Sequence, residues 1–411
     1  MNAFADLALG IMTALGGFVD IGELVFAVEG GARFQFLTLW VVALGTVGII
    51  VYSEMSGRIA AVLHKPTFEL IRESQGERRG LAILVASNLV NLLTCAAEIG
   101  GIAIVLQMFV GLEQRMLVLA AAVLLFLSIW FLEFRWIERV YGLLGLILLV
   151  YVATAAALQP DWREVARGLI PGAPRAGMPG WSVYAYFAVG LFSSVLMPYE
   201  LYFYSSGGIE DNWTEKDLSA NFLTSTVGFT LGGLLTMALI VSGAQAFFPR
   251  GIDPQVLSSS ALPALLALGK PGLVFALLGM LFAIGGAAVE TALASAYNLA
   301  QFFGWPWGKS KRPSQAKRFT LAWISMLVMG LAIAMSGVNP VHIVEYSVVF
   351  AVVVLPFTYY PILATAGDSK SMKQHVNSRF VQVLGWLMFA LIVAAALAAV
   401  PLMYATHMGE S

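Results

Sequence analysis

The chain has 411 residues, of which 59% are hydrophobic and only 11% charged, with a formal net charge of −1. So few charges cannot cover the surface of a water-soluble protein of this length, which excludes a soluble domain and leaves an all-α polytopic membrane protein. The near-neutral balance gives no basis for binding nucleic acid, and a single cysteine, Cys95, excludes a disulfide framework.

In chain order the apolar runs predict about eleven spans, at roughly 4–30, 35–62, 81–110, 116–133, 140–158, 182–206, 219–247, 271–303, 319–336, 341–366 and 381–405. Each approaches or exceeds the ~20 residues that cross the hydrocarbon as a helix. The start of the chain lacks a basic region and its first apolar run carries Asp6, Asp20 and Glu23, so no cleavable signal peptide is expected. The first span is interrupted at Gly16-Gly17-Phe18-Val19-Asp20-Ile21-Gly22-Glu23-Leu24-Val25-Phe26. A helix in lipid satisfies its own backbone, so two acids among glycines mark an opened segment whose carbonyls line a cavity. The sixth span is interrupted at Met197-Pro198-Tyr199-Glu200-Leu201-Tyr202-Phe203, where Glu200-Leu201-Tyr202-Phe203 echoes Glu23-Leu24-Val25-Phe26. Broken segments at matching places in two halves point to a transporter's binding site and to an inverted five-plus-five repeat. On this reading repeat one covers about 4–158, repeat two about 182–366, and an extra helix about 381–405, all within one integral domain over 1–405.

Short connectors link the spans. Residues 64–79 read as a charged inner connector forming a surface helix, 159–180 as a Pro/Gly-rich outer loop, and 250–268 as a loop turning into an amphipathic surface helix. With the N-terminus inside, only Arg33, Arg115, Arg163, Arg167, Arg175, Arg250 and Lys270 of the 23 basic residues fall outside. The basic loop Gly308-Lys309-Ser310-Lys311-Arg312-Pro313 anchors that orientation, which puts the C-terminus outside.

At these residues the chain resembles the NRAMP family of proton-coupled divalent metal transporters, which have the LeuT-type fold. The likeness runs from about residue 10 to about 365. It rests on Glu29-Gly30-Gly31-Ala32-Arg33, on Glu69-Leu70-Ile71-Arg72-Glu73, on Ala97-Glu98 with Gln107, and on Met197-Pro198. The resemblance implies broken first and sixth helices and a cation site formed by Asp20, Glu23, Met197 and the backbone carbonyl of Ser194. The family's Asp-Pro-Gly-Asn reads Asp20-Ile21-Gly22-Glu23 here, and its Met-Pro-His-Asn reads Met197-Pro198-Tyr199-Glu200. The tenth-span glutamine falls near Val348, the third-span aspartate of the proton path on Cys95, its glutamate on Glu98, and the ninth-span arginine pair on Lys317 and Arg318. The site thus keeps one carboxylate and the thioether, gains two carboxylates, and loses a histidine.

Asp20, Glu23 and Glu200 would repel one another in low dielectric unless a cation or protons sat among them, so the expected substrate is cationic and its binding is tied to protonation. Oxygen ligands suit Mg²⁺ or Mn²⁺, and the Met197 thioether suits softer ions. Carboxylates beside Phe18, Tyr199 and Tyr202 also suit a small organic cation such as guanidinium, the second choice after a metal. Other readings stay open: Asp20 and Glu23 as caps at a helix break, Glu98 as a buried hydrogen-bonded acid, Glu290 as a mid-span acid of unknown facing, Met197, Tyr199 and Cys95 as packing, Lys317 and Arg318 as membrane-edge anchors. The expected function is proton-coupled, inward transport of a divalent metal of the Mn²⁺ or Mg²⁺ type by alternating access in a bacterial-type inner membrane, with a small organic cation as the alternative substrate. No soluble output domain favours a sensor, the broken helices disfavour a simple channel, and no His-rich metal motif or nucleophile elbow favours an enzyme. No cofactor is expected, and nothing in the sequence sets an oligomeric state.

Overall fold

The computed structural model describes residues 19–409. The principal helices are α1 (Ile21–Phe34), α2 (Leu39–Leu63), α3 (Thr67–Val110), α4 (Gln114–Phe131), α5 (Phe134–Gly145), α6 (Val150–Ala157), α7 (Trp181–Ser194), α8 (Pro198–Glu210), α9 (Phe229–Ala246), α10 (Leu262–Phe303), α11 (Lys317–Met335), α12 (Pro340–Ala366) and α13 (Arg379–Ala405). A 3₁₀ turn at Leu146–Leu149 joins α5 to α6 in one span, while α7 and α8 are two halves of a broken one. Ten segments among the described residues are long and apolar enough to cross a membrane. The helix α1 falls within the first expected span, 4–30; the rest of that stretch, with Gly16, Gly17 and Phe18, lies outside the described residues.

Local chemistry sets most of the ends. Asn339 caps α12 by accepting from the Val341 amide at 3.0 Å, with Pro340 in the first turn. The helices α3 and α10 stop at Gly111 and Gly304, which take left-handed φ of 64° and 66°. Inside α3 and α10, Gly76 and Gly269 adopt φ of 75° and 68°, values that break the helix without steric cost.

The helices divide by burial. In α4 and α13 large apolar side chains such as Leu119, Leu124, Phe131, Phe380, Leu387 and Leu397 are exposed, a surface suited to lipid rather than water. By contrast α1, α8 and the middle of α3 are almost wholly buried. Small residues let α1 and α9 cross closely: a Cβ on Gly31 would stand 2.1 Å from the Ile240 carbonyl oxygen, and one on Gly243 would stand 2.4 Å from that of Val28. Backbone cannot give way as a flexible side chain can. Gly31→Ala is therefore expected to force the pair apart and cost about 1–3 kcal/mol, as overpacking does. A lowered melting temperature of the purified variant checks this; a value equal to wild type would refute the close crossing.

One connector departs from its sequence reading. Residues 64–79 are not a surface helix lying apart from the bundle, because α3 begins at Thr67 and continues past the Gly76 break into the span. Phe68 and Ile71 are fully buried and pack with Met197, Tyr199, Tyr202 and Phe302. The Thr67 hydroxyl bonds the Ser205 hydroxyl at 2.9 Å, tying the connector to α8. Residues 250–268 follow expectation in outline, passing from loop through a 3₁₀ turn at Leu257–Ala261 into α10.

Candidate functional site

Asp20 occupies the N-cap of α1, and its Oδ1 accepts from the Glu23 amide at 2.9 Å. A carboxylate there satisfies an otherwise unpaired donor and lies favourably at the positive end of the helix dipole. Its Oδ2 accepts from the Tyr199 hydroxyl at 3.3 Å, which links the start of α1 to the start of α8. Gly22 leaves little room for a side chain at this corner. A Cβ there would meet Asp20 Oδ1 at 3.0 Å, Val348 Cγ2 at 3.1 Å and Val344 Cγ2 at 3.4 Å.

The opposing break has a plain backbone cause. Pro198 lies four residues beyond Ser194 and has no N–H to give to the Ser194 carbonyl. The Leu196 carbonyl instead accepts the Tyr359 hydroxyl at 3.0 Å, and the Met197 carbonyl accepts the Glu200 amide at 3.2 Å. Met197 is the N-cap of α8 and is fully buried. The Ser193 hydroxyl donates to the Val348 carbonyl at 2.7 Å, which fixes α12 against the break and leaves the Val348 side chain facing Gly22.

All three carboxylates lie inside the protein: Asp20 is 1% exposed, Glu23 0% and Glu200 5%. Glu23 Oε1 accepts from the Thr236 hydroxyl of α9 at 3.3 Å, and its Oε2 meets no protein donor. Neither oxygen of Glu200 meets one. The Glu200 carboxylate lies within electrostatic range of Glu23, Glu290 and Asp20. Even so, among the described residues no three His, Cys, Asp or Glu side chains stand together closely enough to hold a metal ion. A metal in this arrangement would draw its ligands from two acids at most, with carbonyls and the Met197 thioether, or would pull the acids inward.

The further candidates are scattered around this centre. Glu98 is fully buried on α3, with Oε2 accepting from the Thr291 hydroxyl of α10 at 3.0 Å and Oε1 unmet. Cys95 is buried one turn earlier. Glu290 is half-buried beside Thr291 on α10. Lys317 and Arg318 are exposed at the start of α11, and Arg318 stacks over Trp305 at 5.2 Å. No hydrogen bond or ion pair joins either of them to Glu98 among the described residues. Sequence reading missed Thr236 and Thr291, the hydroxyls on Glu23 and Glu98; a lone threonine in an apolar span carries no signal of its own. It also missed the contacts of Arg33, although the Glu29–Arg33 spacing of one helical turn was there to be read.

The family description "Natural resistance-associated macrophage protein-like" (Nramp) matches residues 10–401. The chain belongs to the Nramp family. The match extends beyond residue 365, where the residue-by-residue likeness ended. Among relatives of this Nramp chain, the "Divalent metal cation transporter MntH" of Levilactobacillus brevis is 27% identical over 398 residues, covering 92% of this chain and 84% of that one. Among solved structures, the Eremococcus coleocola manganese transporter in complex with an aromatic bis-isothiourea substituted compound superposes with a TM-score of 0.75 at 22% identity, covering 100% of this chain and 90% of that one. Mhp1, a nucleobase-cation-symport-1 family transporter in a closed conformation, matches with a TM-score of 0.58 at 14% identity over 96% and 91% of the two chains. The fold is therefore the LeuT-type inverted five-plus-five arrangement with one added helix. Nramp proteins are multi-pass membrane transporters, so this chain is a transporter and not an enzyme.

Proposed function

We propose that this Nramp chain is a secondary active transporter that carries a divalent metal cation of the Mn²⁺ or Mg²⁺ type inward by alternating access, coupled to protons. Its membrane is a bacterial-type plasma membrane, with the N-terminus cytoplasmic and the C-terminus outside. The observation that carries the reading is Glu200, a buried carboxylate with both oxygens unmet among the described residues, within electrostatic range of Glu23 and Asp20 where two helices start. An unpaired buried carboxylate is costly and is relieved by a cation or a proton. The names of the relatives support a metal as the cation. A thermal-shift series with divalent ions, followed by liposome uptake of the hits, tests the proposal, since a ligand of the native state raises its stability by mass action. Met197→Ala is expected to keep the Mg²⁺ response and weaken that to softer ions such as Cd²⁺ by roughly tenfold, because a thioether favours soft metals. Equal weakening for both would remove the sulfur from the site.

A second reading has its own observation. Val348 places a methyl group where the metal-transporting pattern has a glutamine, and Tyr199 bonds Asp20 directly. That mixture of carboxylates, aromatic ring and apolar wall suits guanidinium. A thermal shift with guanidinium, and none with any divalent ion, would replace the metal by the organic cation.

Coupling would run through Glu98, which among the described residues has the Thr291 hydroxyl as partner on one oxygen and none on the other, leaving it able to take a proton. In liposomes with an internal pH dye, a substrate gradient is expected to acidify the lumen in wild type. In Glu98→Gln that acidification should fall at least ~10-fold while substrate uptake persists, within the range attributed to a positioned proton carrier. Unchanged acidification would remove Glu98 from the mechanism.

A further inference from the structure

The seam between α5, α8 and α10 runs from the site to the end of the bundle bearing the basic 308–313 loop, and it carries a row of carboxylates. Glu200 is at its upper end on α8, buried and unmet on both oxygens. Below it come Glu290 on α10 and Glu138 on α5, which lie within electrostatic range of each other, on two helices packed side by side where a Cβ on Gly285 would touch Tyr141 at 3.0 Å. Both acids are half-buried, and neither makes a hydrogen bond or ion pair among the described residues. Glu138 lies in the field of Glu290, Asp211, Arg135 and Arg139.

Under these acids the seam is closed by aromatic rings. Phe203 meets Phe134 at 5.3 Å and Tyr297 at 6.4 Å, all three buried, one from each helix. Tyr297 lies seven residues after Glu290, on the same helix face and about 10 Å further along. Its hydroxyl donates to Glu210 Oε1 at 2.9 Å, and the Ser310 hydroxyl donates to Glu210 Oε2 at 2.7 Å, so the basic loop is latched to the ends of α8 and α10.

We infer that Glu290, with Glu138 opposite, is the carboxylate to which the transported cation passes from Glu200 on its way to the inner face, and that Phe134, Phe203 and Tyr297 are the plug it must wait behind. The inference rests on the transport reading above but adds a route and a residue to it. An acid with no partner among the described residues, part-way between a buried site and the basic loop, lowers the barrier a bare cation meets in a low dielectric.

Cysteine labelling tests the route without a substrate. In a Cys95→Ala background, Glu290→Cys is expected to react from the loop end with the cationic methanethiosulfonate-ethylammonium at least ~10-fold faster than with the anionic ethylsulfonate, because Glu138 and Glu200 attract the cation. Phe203→Ala should accelerate the reaction. A thiol that stays inert from that end even with Phe203→Ala, or that shows no preference for the cation, overturns the route. For the residue, Glu290→Gln is expected to keep the metal-induced thermal shift and lose uptake, with Glu290→Asp recovering part of it. Uptake at the wild-type rate, or loss of the thermal shift in a folded Glu290→Gln protein, overturns the assignment. If wild type responds to neither metal nor guanidinium, the transport reading fails, while the labelling still decides whether the seam is a cation route.

Discussion

Glu200→Gln is expected to fold as wild type does, to lose substrate uptake, and to lose the rise in melting temperature that a bound cation produces. Glutamine keeps the shape of the side chain and removes only its charge. No hydrogen bond to either Glu200 oxygen is given up, because no donor among the described residues meets them. A side chain that the fold does not use can be changed without harm to the fold. The binding term is large by comparison: a ligand at about 100 times its Kd stabilises the native state by about 2.7 kcal/mol, and that shift should vanish. Asp20→Asn behaves differently, since Asp20 caps α1 and accepts from the Glu23 amide and the Tyr199 hydroxyl. A Glu200→Gln protein that still shifts and still takes up the cation would move the site away from the second break.

Arg33→Ala is expected to destabilise the protein by about 3 kcal/mol, because it strands a buried acid. Arg33 closes the far end of α1. Its guanidinium reaches Glu29 at 2.7 Å one turn back and grips Asp253 of the 250–268 segment with two bonds, at 2.7 and 3.0 Å. It also donates to the Gly409 carbonyl and lies over the Phe187 ring at 5.0 Å. One side chain therefore ties together α1, the loop before α10, the end of the chain and α7. Glu29 is 7% exposed, so its charge is left largely desolvated once the arginine is gone. The control is the double variant Glu29→Gln with Arg33→Ala, which should recover part of the lost melting temperature. No recovery would mean that the packing on Phe187, not the stranded charge, sets the cost.

The sequence by itself determined the spans and the breaks, because both are local. A run of ~20 apolar residues crosses the hydrocarbon whatever its neighbours do. Pro198 leaves the Ser194 carbonyl without its amide whatever surrounds it, and Asp20 before Ile21 is a cap on chemistry alone. Glu23 and Glu200 could be singled out for the same reason, since an acid in an apolar run needs no partner to be conspicuous. What the sequence could not determine is who meets whom. These helices are apolar nearly all round, so no periodic stripe says which face turns inward. The burial of Phe68 and Ile71, the facing of Val348 onto Gly22, and the pairing of Glu23 with Thr236 and Glu98 with Thr291 join residues that lie far apart in the chain. So does the row from Glu200 to Glu290 and Glu138, which no single helix displays. Only the packing of small residues such as Gly31, Gly243 and Gly285 sets these helices in register, and that register is a property of the closed bundle rather than of any stretch within it.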